Sequence, residues 1–240
     1  VRIVALETAT RCGSCALLDG DRLVERPVDL RGAGAVAGLA ELLREESVAP
    51  GDVDAVAVSV GPGSFTGVRI GVAAAQGFCL ATGARAVAVG TLDGLAWRAV
   101  GTEWDVEGRP LLASVDARRG EVYAALYRAA AGGSAPDPVW GPEAVSPPAL
   151  ARLFAERGPA ADGVPGVLLG DGAALLFPRF PPESGWARPA GLASAGAGAV
   201  ARAAAGDVVR GRTLGPDELE PVYLRKSDAE IHREERLREG

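Results

Sequence analysis

The chain has 240 residues, a net charge of −6, 48% hydrophobic residues and 23% charged ones. That balance belongs to a globular chain long enough to bury one large core or two small ones. The acidic total excludes autonomous nucleic-acid binding through a broad basic surface, so any RNA contact is expected to be shared with a partner. No apolar run approaches the ~18 residues that span a bilayer, and the first residues enter a strand without a leader pattern, so a cytoplasmic protein without membrane contact is expected. Cys12, Cys15 and Cys79 are an odd set in such a reducing setting, and disulfides are not expected.

Arg2 to Leu6 reads as a strand, followed by Ser14 to Leu18 and Arg22 to Val28, joined at the hairpin signal Asp19-Gly20. Between the first two lies the polar turn Glu7-Thr8-Ala9-Thr10. A strand, a turn with an acid and hydroxyls, then an antiparallel return is similar to the opening of the nucleotide site in actin, Hsp70 and the sugar kinases. In those proteins the acid is usually aspartate closely followed by glycine. Here the acid is Glu7 and that glycine is absent, so a turn without a ligand is an equal reading. Cys12-Gly13-Ser14-Cys15 has the spacing of half a zinc site, but there is no second pair and the one histidine, His232, lies in the charged C-terminal segment. No metal site is expected.

Val36, Leu39, Leu42 and Leu43 recur at helical spacing within residues 35 to 46, with Glu41, Arg44 and Glu45 turned outward. After the break at Pro50-Gly51, Ala55 to Val60 is an almost wholly apolar run, the pattern of a strand covered on both faces. Gly61-Pro62-Gly63 ends it, and Ser64 or Thr66 is placed to cap a helix running to about Thr82. Within that helix Gly67, Gly71 and Ala75 recur every four residues and leave one face almost bare. Each helical glycine costs roughly 1 kcal/mol relative to alanine, so something must offset them. Close packing on the chain's own domain and docking of another chain are the competing explanations. A phosphate cradle built from Gly61, Gly63 and Ser64, with Glu7 and Thr8 opposite, is a third, weakened because the only lysine is Lys226 and a Walker loop needs one.

Ala84 to Val89 gives another strand and Thr91 to Val100 another helix, so strands and helices alternate and an α/β layer arrangement follows. Leu111 to Tyr127 then repeats the opening plan of strand, acidic turn and return, which points to two similar halves. Asp116, Arg118 and Glu121 form either a site or a salt-bridged hairpin turn. Residues 129 to 140 read as a flexible connection, Val167 to Gly172 as a strand ending in a small turn, Gly191 to Ala205 as an alanine-rich helix and Pro221 to Arg225 as a terminal strand. The expected organisation is an N-terminal α/β domain over 1–105, a C-terminal α/β domain over 106–226, and a charged tail over 227–240.

Four blocks, Ile3 to Thr10, Gly61 to Gly71 with Gln76-Gly77, Val115 to Tyr123, and Glu220 to Arg225, resemble the bacterial TsaB (YeaZ) family of tRNA threonylcarbamoyladenosine biosynthesis proteins, in the family's order and across nearly the whole chain. The resemblance implies an actin-like (ASKHA) fold of two α/β domains with mixed sheets. It implies a noncatalytic partner of the threonylcarbamoyl transferase TsaD, forming a heterodimer with TsaE as an ATP-hydrolysing third component and tRNA reached only through the complex. The two N-terminal helices would pair with those of TsaD in a four-helix bundle. Val36, Leu39, Leu42, Leu43, Val68, Gly71, Val72 and Ala75 are then the expected interface, and in isolation the same helices would favour a homodimer. No cofactor is required, and ATP or ADP would sit at the junction between partners. The alternative is an actin-like nucleotide-dependent small-molecule kinase or a glycoprotease-like peptidase. The kinase needs a working phosphate turn, and the peptidase needs the paired helical histidines or nucleophile set that this chain lacks.

Overall fold

The computed structural model describes residues 1–157 and 165–225; Lys226, His232 and the expected tail at 227–240 lie outside them. The first sheet is built from β1 (Arg2–Glu7), β2 (Ser14–Asp19), β3 (Arg22–Pro27), β4 (Ala55–Ser59) and β5 (Arg85–Val89) in the order β3-β2-β1-β4-β5. β1, β2 and β3 are antiparallel neighbours, while β4 and β5 extend the sheet in parallel with β1. All five residues of β4 are buried, as a strand covered on both faces requires. One face carries α1 (Gly34–Glu45) and α2 (Phe65–Thr82), whose Leu39, Leu42, Leu43, Val68, Val72 and Ala75 meet Val4, Leu6, Leu17, Val56 and Val58.

A second sheet repeats the plan. It contains β6 (Pro110–Arg118), β7 (Glu121–Arg128), β8 (Asp137–Val145) and β9 (Val167–Leu169) in the order β8-β7-β6-β9, with β6, β7 and β8 antiparallel and β9 parallel to β6. Two mixed sheets sharing one hairpin-plus-parallel-strand topology are the arrangement expected of an actin-like chain. α4 (Pro147–Arg157) and α5 (Ala173–Leu176) cover one face through Leu150, Phe154 and Leu176. The other face meets α3 (Thr91–Trp97) through Leu92, Leu95 and Ala96.

Two helices pack across the expected boundary at residue 105. α3 belongs by sequence to the first half but packs on the second sheet. α6 (Ala197–Val209), from the second half, covers the open face of the first sheet, where Ala197, Val200, Ala201 and Ala204 meet Ile3, Ala5, Ala57 and Val87. Leu219, further on, joins the first sheet's other core. Three further expectations shift. Residues 137 to 140 are part of β8, an outer strand that tolerates Pro138 and Pro142 because an edge can forgo ladder donors. The alanine-rich helix begins only at Ala197, since Gly196 holds φ at +70°. Pro221 to Arg225 is an irregular strap instead of a strand, tied to the end of β4 by Val222 N–H donating to the Val60 carbonyl at 2.7 Å.

The bare face of α2 turns inward. A Cβ at Gly67 would overlap the Thr8 carbonyl oxygen, and one at Gly71 would overlap Thr8 Oγ1 and crowd Val58. Gly77, on the opposite side, faces open space. Gly67→Ala is therefore expected to cost about 3 kcal/mol through backbone displacement, a fall of roughly 6–12 °C in Tm for a chain of this size. Gly77→Ala should raise stability by about 0.5–1 kcal/mol. Thermal unfolding of the two variants checks this, and equal effects would contradict it.

Candidate functional site

The carboxyl end of β1, the loop between β4 and α2, the β6–β7 hairpin and the strap 222–225 converge on a cleft of about 480 Å³ between the two sheets. Thr10, Arg11, Gly63, Ser64, Asp116 and Asp171 are among its lining residues. Glu7 and Thr8 are not. Glu7 is fully buried, and Oε1 accepts from the N–H groups of Ala9 at 2.8 Å and Thr10 at 3.0 Å, while Oε2 accepts from Thr10 Oγ1 at 2.6 Å. Thr8 Oγ1 donates to the Gly67 carbonyl at 2.7 Å. The acid and hydroxyl expected opposite a phosphate are instead spent on closing their own turn and fastening it to α2.

Ser64 is the N-cap of α2, its Oγ accepting from Gly67 N–H at 3.2 Å, and its own N–H donates to the Ala9 carbonyl at 2.8 Å. Gly63 lies against that same carbonyl, where a Cβ would collide, and Gly61 lies against the Val222 carbonyl with φ at +112°. The glycines of this loop admit neighbouring backbone. Of the five residues expected in a phosphate cradle, Gly63 and Ser64 line the cleft.

Across the cleft the acidic turn is a charged hairpin. Asp171 Oδ1 accepts from Asp116 N–H at 2.9 Å, and Asp116 Oδ1 from Arg118 N–H at 2.8 Å. Arg11, from the first sheet, reaches Asp116 at 3.3 Å and Asp171 at 3.8 Å, bridging the two sides. Glu121 pairs with Arg225 at 2.9 Å, and Arg225 also donates to the Ala117 carbonyl at 3.0 Å. The trio Asp116, Arg118 and Glu121 is thus split between the hairpin tip and the strap. Sequence reasoning missed Arg11 and Asp171 as members of this cluster, because only the folding of two distant turns brings them together. Cys12 is exposed and Cys15 buried, with burial pushing the Cys15 thiol up to about 11. Among the described residues no three histidine, cysteine or acidic side chains gather as a metal site.

The structure turns most of the residues expected at the interface inward. Leu39, Leu42, Leu43, Val68, Gly71, Val72 and Ala75 are all buried in the chain's own core. Of the eight residues expected there, Val36 alone faces out, 52% exposed. The outward side of α2 carries Thr66, Ala73, Gly77 and Leu80, with Ile70 half-buried beside them, and Leu80 is 75% exposed. Sequence spacing held this second stripe too, at i, i+4, i+7, i+11 and i+14, but the glycine stripe gave the stronger periodic signal.

Burial, opposed by three hydrogen bonds and assisted by the nearby Glu25, raises the Glu7 carboxyl from its ordinary 4.5 to about 7. Because the folded value exceeds the unfolded one, its stabilising contribution is full below about pH 4.5 and is lost as pH rises through about 7, a change of about 3 kcal/mol. Glu7→Gln keeps the Oε1 acceptor for both N–H groups and puts an N–H donor where Oε2 accepts from Thr10 Oγ1, so that bond reverses direction. Its stability relative to the parent chain should grow by up to about 3 kcal/mol between pH 5 and about pH 8, measured by denaturant unfolding. Parallel pH profiles would contradict the assignment.

Comparison with known proteins bears on this geometry. A family model described as TsaD, tRNA N6-adenosine threonylcarbamoyltransferase, matches residues 36–170. The tRNA threonylcarbamoyladenosine biosynthesis protein TsaB of Escherichia coli is 32% identical over 235 residues, covering 95% of this chain and 96% of that protein. Two Pseudomonas aeruginosa structures are similar at 30% identity, each over 93% of this chain and 99% of theirs. One is described as an uncharacterized protein with similarity to peptidase YEAZ, with a TM-score of 0.79, and the other as YeaZ, with a TM-score of 0.76. The chain therefore belongs to the TsaB (YeaZ) family of tRNA threonylcarbamoyladenosine biosynthesis proteins and shares the TsaD family model across its middle.

Proposed function

We propose that the chain is the noncatalytic subunit of a cytoplasmic threonylcarbamoyladenosine-forming complex and that it binds and supports the transferase TsaD through the outward faces of α1 and α2. TsaE is the third component, tRNA is engaged through the complex, and ATP or ADP is held at the junction between subunits. The observation that carries this reading is the open apolar stripe of α2, Ile70, Ala73, Gly77 and Leu80, together with the exposed Val36 of α1. Small residues at its centre let another helix approach closely, and Leu80 at its end offers roughly 1.5–3 kcal/mol if buried by a partner.

The turn chemistry supports the noncatalytic part of the proposal. Glu7 and Thr8 have their polar atoms committed within the fold, which leaves neither free to act on a phosphate from its place behind the cleft.

Leu80→Glu places a charge on the exposed stripe without touching the core. It is expected to weaken binding to the cognate TsaD by about 100-fold or more, the cost of desolvating an unpaired carboxylate at a helix interface, with Tm changed by no more than a few degrees. Isothermal titration checks this, and unchanged affinity would contradict docking through this face.

A further inference from the structure

Beside the open stripe, one turn of α2 joins the strap in a cluster of two rings and a guanidinium. Phe65 and Arg69 are four residues apart on the helix, and the Arg69 guanidinium carbon lies 3.9 Å above the centre of the Phe65 ring. Tyr223, from the strap, stacks its ring 5.0 Å from that of Phe65. The guanidinium Nε donates to Tyr223 Oη at 2.8 Å. Tyr223 is held there because the strap is anchored at three points: the Leu219 carbonyl accepts from Gln76, Val222 N–H donates to Val60, and Arg225 pairs with Glu121.

Stacked on Phe65 and clamped at Nε, the guanidinium has neither Nη group hydrogen-bonded or ion-paired among the described residues. Phe65 and Tyr223 line the cleft but Arg69 does not, so the charge sits on the outer surface, between Thr66 and Ala73 of the stripe. Arg11, Arg22, Arg26, Arg98 and Arg225 each pair with a carboxylate. None of the described carboxylates is within salt-bridge distance of Arg69. The first turn of α2 also carries no acid, so the helix N-terminus adds uncompensated positive potential nearby.

We infer that Arg69 is a specificity-determining contact that takes a carboxylate from the docking partner in a forked, two-bond geometry at the rim of the α2 stripe. A fixed guanidinium loses little side-chain freedom on binding, and its planar fork matches a carboxylate where a lysine ammonium cannot. Exposed arginine and tyrosine flanking an apolar strip are also the side chains on which binding energy concentrates. The inference rests on the docking reading above, with an acidic side chain on the TsaD helices as the occupant. Val222 and Tyr223, 47% and 42% exposed, continue the same surface beyond the helices.

The test uses the full chain and its cognate TsaD, with Kd measured at low and high salt. Arg69→Glu should weaken binding by about 50-fold or more and Arg69→Ala by about tenfold. Arg69→Ala should also flatten the salt dependence seen with the parent chain. Arg69→Lys should recover less than half of the loss in log Kd, and Tyr223→Phe, which removes the clamp but keeps the ring, should weaken binding by about threefold. Arg69→Lys retains the charge and stem, so it reports even where the alanine variant folds poorly. Parent-like Kd and salt slope for the Arg69 variants, with Leu80→Glu defective, would overturn this inference and leave the docking face standing. Intact binding by Leu80→Glu as well would overturn the docking reading itself. Variants that keep TsaD but lose tRNA from the assembled complex would also overturn it, reassigning Arg69 to a phosphate.

Discussion

The close approach of α2 to the Thr8 turn sets the rest of the molecule. Thr8 Oγ1 donates to the Gly67 carbonyl, and that bond can form only because residues 67 and 71 have no side chain to separate the helix from the turn. Several consequences follow together. The turn is fixed with the Glu7 carboxylate folded back on it, β4 delivers Gly61 and Gly63 against neighbouring backbone, and α2 is rotated so that Ala73, Gly77 and Leu80 face outward. The helical glycine cost of roughly 1 kcal/mol each is offset by internal packing and hydrogen bonding.

That rotation gives the helix layer an inward and an outward surface. Inward, the first sheet is closed by α1 and α2 on one side and by α6 on the other. Outward, an apolar helical strip is left beside the strap, and the strap touches α2, the end of β4 and the β6–β7 hairpin. The exchange of α3 and α6 between sheets, with the Arg11 bridge to Asp116 and Asp171, ties the halves on either side of the cleft. Behind the cleft, the polar atoms of Glu7 and Thr8 are satisfied within the fold.

Much of this was legible in the sequence. The β4 run, the capped start of α2 at Ser64, the Asp19-Gly20 hairpin and the repeated strand-turn-strand plan are local signals, and the structure reproduces them within a residue or two. The direction of the glycine stripe was not legible, since a bare helical face reads the same whether it meets its own sheet or a partner. What decides it is Thr8, 59 residues away. α6 is rich in alanine and glycine and has little polar contrast to orient it, so its crossing to the first sheet could not be read from its own residues. β8 was hidden by its prolines, and the Arg69–Phe65–Tyr223 cluster joins residues 154 positions apart.

The central claim is that the glycine face is interior and the Leu80 face meets the partner. Hydroxyl-radical footprinting of the full chain, with and without saturating cognate TsaD, tests it most directly. The account predicts that Leu80, Ile70 and Tyr223 oxidise readily in the free chain and become protected on binding, while Leu42 and Val72 resist oxidation in both states. Undiminished oxidation of Leu80 in the complex, or reactive Leu42 and Val72 in the folded free chain, would contradict it.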